Sequence, residues 1–216
     1  MTREDLGPDR HIALASAPAG ARPALAGLFA LDRRLGDIVR AARDPMIGQM
    51  RLTWWYEALG RLDAAPAPAE PILRALAADV LPNGIAGAAL AAMIEGWEVL
   101  LDHAPDADAL DAYAKGRGET LFSLGCRILG ADMGPQQRFA GRGWALADLA
   151  MHSSNPAVAQ NAAQHATAAL DTAFVVPWPP AARPLGSLAL LVRLDGAPGG
   201  PLGKTARLTR FRLFGR

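Results

Sequence analysis

The sequence has one cysteine, Cys126, so an intrachain disulfide framework is excluded and a reduced setting is the default. That cysteine lies in the run Leu124-Gly125-Cys126-Arg127-Ile128, which reads as a buried, inert thiol rather than a nucleophile. β-branched residues are sparse, which argues against an extensive sheet. No apolar run reaches the roughly 18 to 20 residues that span a bilayer. The charged opening MTREDLGPDR lacks the apolar stretch of a signal peptide. The expected location is cytoplasmic, and at most peripheral at the inner membrane. The formal net charge is +1, so no global basic field invites nucleic acid. There is no GxGxxG, and GRGET (116–120) has neither a Walker pattern nor a preceding strand. The four histidines, His11, His103, His152 and His165, form no close ligand pair and read as surface or capping residues.

What the sequence does have is alanine, the strongest helix former, within a chain that is 51% apolar. Its 216 residues fit one domain with a sizeable core, with 1–19 and 196–216 expected to be less ordered or peripheral. Helical periodicity and proline stops predict helices over 22–42, 45–62, 72–81, 85–101, 107–129, 136–152 and 158–174, with two weaker ones at 185–194 and 204–214. Short connections and one apolar face per helix describe an all-α helical bundle.

The inward faces carry charge. At about 100° per residue, Asp32, Gly36 and Arg40 fall on the apolar stripe of the first predicted helix with Leu25, Phe29 and Val39, while Asp37 falls well off it. On the second helix the expected stripe is Ile47, Met50, Trp54 and Ala58, and Arg51 falls beside it. An unpaired buried charge is very costly, so these groups need partners or water. Two compatible readings follow. One is an internal salt-bridge network joining Asp32 to Arg40 or Arg51. The other is a pocket in which two arginines face an anion and Trp54 faces an apolar tail.

The segment 28–59, LFALDRRLGDIVRAARDPMIGQMRLTWWYEAL, resembles the squalene/phytoene synthase family. So does 113–130, YAKGRGETLFSLGCRILG, which is similar to that family's tyrosine-containing helix, and 143–152, GWALADLAMH, which is similar to the helix bearing its second acidic motif. The resemblance implies an isoprenoid-synthase-like helical bundle around a central cavity. It also implies chemistry that joins two prenyl diphosphates, with Mg²⁺ held by paired aspartates one turn apart on two facing helices.

Carried over by position, the first acidic motif falls on Gly36-Asp37-Ile38-Val39-Arg40, and its two ligand positions are Gly36 and Arg40. Asp37 matches the motif's second aspartate, Arg33 the arginine before it, and Tyr113 the tyrosine of the later helix. The second motif's ligand positions fall on His152 and Pro156. Neither helix offers a carboxylate pair, and an arginine stands where a hard cation would sit. The chain therefore resembles a divergent branch that includes a mitochondrial complex I assembly factor, and its Ala/Gly/Arg-rich composition fits a bacterial member of it.

The expectation is a catalytically degenerate family member, with no cofactor. It would bind a prenyl diphosphate or lipid-like anion, or act as an assembly module for a protein partner in a membrane complex. The candidate ligand-binding residues are Asp32, Arg33, Asp37, Arg40, Arg51, Trp54 and Tyr113. The alternative is an active prenyltransferase joining prenyl diphosphates, or a prenyl-diphosphate lyase, with a rearranged site that uses Mg²⁺ with Asp32 and Asp37. Two other charged features read as surface. Glu95, Glu98 and Asp102 form a solvated helix face. The tail KTARLTRFRLFGR carries five cations and no acid, and reads as a solvated or docked tail or a weak peripheral membrane contact.

Overall fold

The computed structural model describes residues 6–101, 105–195 and 200–216; Asp102 and His103, named above, and the first five residues of the charged opening lie outside them. Eleven α-helices are found among the described residues, and no strand. They are α1 (Pro8–Ser16), α2 (Arg22–Ala41), α3 (Pro45–Gly60), α4 (Pro71–Ala75), α5 (Gly87–Glu98), α6 (Ala107–Tyr113), α7 (Thr120–Ile128), α8 (Pro135–His152), α9 (Pro156–Ala173), α10 (Arg183–Asp195) and α11 (Pro201–Phe214). The all-α expectation therefore holds. π-helical segments continue α4 over Leu76–Val80 and join α6 to α7 over Ala114–Glu119.

Local chemistry sets the boundaries. Eight of these helices carry proline at the first or second position, where its missing N–H costs nothing. Side chains of Asp44, Glu70, Asp106 and Asn155 accept from first-turn N–H groups. The predicted helices match the observed ones closely. The exception is α1, which has the same Gly-Pro start inside a segment read as a charged terminus. It packs on α10 and α2, and Leu6, Ala13, Leu14 and Ala17 of the supposedly peripheral 1–19 are buried.

The face of α3 is corrected. The structure buries Gly48, Leu52, Trp55, Ala58 and Leu59, and leaves Ile47, Met50, Arg51 and Trp54 exposed. This helix is apolar on both sides, so a wheel scored on hydrophobicity has two solutions. Gly48 decides between them, because a Cβ there would lie 2.5 Å from Cδ2 of Leu101. The bare backbone lets α3 close on its neighbours along that side.

Glycines also set the centre of the bundle. A Cβ on Gly96 of α5 would lie 2.3 Å from the backbone nitrogen of Arg117, and one on Gly118 would lie 2.2 Å from the carbonyl oxygen of Gly141 in α8. The π segment is thus clamped, backbone to backbone, between α5 and α8. The C-terminal part docks as well. Phe211 of α11 is buried against Trp178 and Phe174, and Arg183 donates to the carbonyls of Arg212 and Leu213 at the end of α11.

Candidate functional site

Six elements build one cluster around a single guanidinium. From α2 comes Asp32, from α6 Tyr113, and from the π segment Arg117. Trp97 comes from α5, Trp144 and Asp148 from α8, and Arg10 from α1. The spacing on α8 puts Trp144, Asp148 and His152 on one face, as it puts Asp32, Gly36 and Arg40 on one face of α2.

Arg117 is 1% exposed and Asp32 is fully buried. The pair is bidentate, with Nε donating to Oδ1 at 2.8 Å and Nη2 to Oδ2 at 2.9 Å. Nη1 of Arg117 donates to Oδ2 of Asp148 at 2.6 Å and to the hydroxyl of Tyr113. Trp97 and Trp144 flank the guanidinium carbon, with ring centroids at 4.2 and 4.6 Å. A desolvated cation on an indole face gains about 2 kcal/mol. Arg10 donates to Oδ2 of Asp32 at 2.7 Å, so two carboxylates face two guanidiniums and the buried charge balances. Burial alone would raise the Asp32 carboxyl, but Arg117 and Arg10 hold it below its usual value. Burial pushes the Tyr113 hydroxyl up, so it stays protonated. Burial acts to lower the Arg117 value, and Asp148 and Asp32 override it, holding the guanidinium well above its usual value.

Beside this cluster lies a cavity of about 290 Å³, lined by Arg10, Asp32, Arg33, Asp37, Arg40 and Trp97 together with Leu6, Gly7, Arg117, Asp148 and His152. The candidate residues therefore separate. Asp32 and Tyr113 belong to the buried cluster. Arg33, Asp37 and Arg40 stand at its rim, with Asp37 bonded to Arg40 at 2.8 Å. Arg51 and Trp54 line a different cleft between α2 and α3. The expected partners of Asp32, Arg40 or Arg51, are thus corrected to Arg117 and Arg10. Arg40 is exposed and bound to Asp37, and Arg51 is exposed in that separate cleft. Arg117, Asp148, Arg10, Trp97 and Trp144 were not singled out from the sequence. The same wheel that flagged Asp32 would have flagged Asp148 in line with Trp144.

The positions assigned by resemblance to metal ligands sit one turn from the carboxylates. Asp32 lies four residues before Gly36, and Asp148 four before His152. Both acids are spent on the guanidinium between them, and Arg40 and His152 stand at the outer positions. Among the described residues no group of three or more His, Cys, Asp or Glu side chains is placed to hold a metal. This donor set does not fit a Mg²⁺-diphosphate site. Cys126 is buried, and burial raises its thiol to about 11, in line with an inert role.

Comparison with known families agrees with the fold. The family model for squalene/phytoene synthase matches residues 5–170, which takes in every residue of the cluster and leaves α10 and α11 outside. A search of curated proteins returned no match. An all-α bundle and a family match over more than three quarters of the sequence lead to one conclusion: the chain belongs to the squalene/phytoene synthase family.

Proposed function

We propose that this family member does not condense prenyl diphosphates and works instead as an interaction module built on the family fold. One observation carries the reading: the Arg117 guanidinium fills the space between the two helices that would present metal ligands, and consumes both nearby carboxylates. The adjoining cavity supports it. At about 290 Å³ it lies at the small end of ligand pockets, and charged side chains dominate its lining. Two prenyl chains have no apolar space there. The test is incubation of the purified protein with farnesyl or geranylgeranyl diphosphate, with and without Mg²⁺, following product and thermal stability. No product and no Mg²⁺ dependence are expected. Mg²⁺-dependent product overturns the reading.

A second reading has its own support. Among the described residues Nε of Arg10 and the indole N–H of Trp97 are buried without hydrogen-bond partners, and both residues line the cavity with Arg33 and Arg40. That donor set suits one anionic head group. Stabilisation by inorganic diphosphate without Mg²⁺, lost in Arg40→Ala, would favour it.

The reading extends to a membrane surface. No single helix among the described residues is long and apolar enough to cross a membrane. On α11, however, Leu202, Leu213 and Phe214 face outward beside exposed arginines, which supports a peripheral contact with anionic lipid.

A further inference from the structure

The outer side of α3 has large apolar side chains where a solvated helix has polar ones. Met46 is 71% exposed, Met50 68% and Trp54 48%. At spacings of four residues they form one continuous stripe, with Ile47 beside it. Scattered exposed hydrophobics need no explanation, but a contiguous stripe of methionine and tryptophan does. Trp, Met and Arg are the residue types enriched where proteins bind one another.

The stripe continues into a cleft. Between α2 and α3 lies a space of about 570 Å³, lined by Arg34, Ile38, Arg51, Trp54 and Trp55, with Asp37 and Glu70 at its edge. The acids there are occupied: Asp37 is bonded to Arg40, and Glu70 accepts from the N–H of Leu73. The cations are not. Among the described residues Arg34 and Arg51 have no carboxylate partner, and Arg34 rests on the face of Trp55. The surface thus pairs an apolar ridge with uncompensated positive charge in a neighbouring groove.

We propose that this α2–α3 surface docks an amphipathic helix of a partner protein, with apolar residues on Met46, Met50 and Trp54 and acidic residues on Arg34 and Arg51. The proposal rests on the interaction-module reading and names where that module engages. Helix-in-groove recognition needs an apolar stripe beside a concavity, which this face supplies. A phospholipid surface fits less well, because a flat bilayer does not enter a concave cleft between two helices. A second copy fits less well too, since a two-fold contact would bring uncompensated arginines together.

The test is selection of a displayed peptide library on the full-length protein, followed by titration of the enriched peptide, labelled, by fluorescence anisotropy. Enrichment of amphipathic sequences with acidic residues is expected. Met50→Asp should weaken binding about tenfold or more, and Arg51→Glu should shift preference toward basic peptides. Both side chains are exposed, so circular dichroism and melting should match the parent. Added salt should weaken the complex. Enrichment without acidic character, or binding indifferent to Met50→Asp, overturns the proposal. So does a dimer in sedimentation that Met50→Asp dissolves, or a peptide displaced by anionic vesicles. Turnover of prenyl diphosphates would remove the interaction-module reading through a separate readout, leaving peptide binding as measured.

Discussion

Gly36 and Trp97 are packed so closely that a Cβ at position 36 would lie 2.7 Å from Cη2 of the indole. Trp97 is 2% exposed and covers one face of the Arg117 guanidinium, so it has little room to yield. Position 36 is where the family resemblance puts an aspartate. Gly36→Asp is therefore expected to destabilise by about 1–3 kcal/mol through overpacking and to confer no Mg²⁺ binding. Urea unfolding with and without Mg²⁺ checks this. Stabilisation of the variant by Mg²⁺ would show that the metal site was only one substitution away.

The Asp32–Arg117 pair makes a prediction about acid stability. Asp32 titrates lower in the folded protein than in the unfolded chain. Its contribution is thus fully present above the unfolded value, about 3.9, and is lost as pH falls through the lower folded value. Asp32→Asn, which leaves buried cations undercompensated, should cost about 3–5 kcal/mol at neutral pH. The gap between parent and variant should narrow only below about pH 4. Unfolding of both proteins across a pH series gives the gap directly, and a gap that is constant into strong acid contradicts the linkage.

Asp9 should behave in the opposite sense. Burial raises its carboxyl, and Asp195 and Asp148 add to this while Arg10 opposes it. A group that titrates higher when folded costs stability while ionised, and the cost is relieved as pH falls through the raised value. Asp9→Asn should stabilise at neutral pH, by less than about 1 kcal/mol for a half-buried group. The gain should vanish in acid, and the same pH series on this variant tests it.

The readability of these features from sequence follows their range. Asp44-Pro45 marks a helix start because cap and proline act within one turn. Asp32 is visible as a charge on an apolar stripe. Its partner is not, since Arg117 is 85 residues away and lies in a π segment. There the wider turn departs from the wheel used to place side chains. The face of α3 is ambiguous in the sequence because Trp54 and Trp55 compete and a glycine, invisible to hydrophobicity, settles which one turns inward. The family match spans residues 5–170 as a whole and does not by itself reveal that Asp32 and Asp148 hold Arg117 between them.

The clamp on the π segment yields a sharper mutational test. A methyl on Gly96 would meet backbone rather than a movable side chain, 2.3 Å from the nitrogen of Arg117 and 2.6 Å from the carbonyl carbon of Gly116. Gly96→Ala must push α5 away from the π segment and lift Trp97 from Arg117, at about 3 kcal/mol. Gly20→Ala, with nothing within 4 Å of the new methyl, should change stability by less than about 0.5 kcal/mol. Equal effects in denaturant unfolding would show that the close approach is not a constraint.

The outward face of α11 predicts how the protein meets lipid. Leu208 and Phe211 turn toward α10 and Trp178, while Leu202 and Leu213 lie on the opposite side. Arg207, Arg210, Arg212 and Arg216 have no ion-pair partner among the described residues, and the sequence from Pro201 onward has no acid. The protein should cosediment with vesicles containing phosphatidylglycerol and not with phosphatidylcholine alone. Each arginine near the surface is worth about 1 kcal/mol, so Arg210→Ala should weaken partitioning about fivefold, and salt should reverse it. Leu213→Asp should also release the protein, while leaving its melting unchanged because the side chain is exposed. Arginine dependence without Leu213 dependence would mean electrostatic attraction at a distance. Dependence on both would mean that the apolar side chains enter the interface, with α11 lying along the membrane and its buried face still fixed to α10.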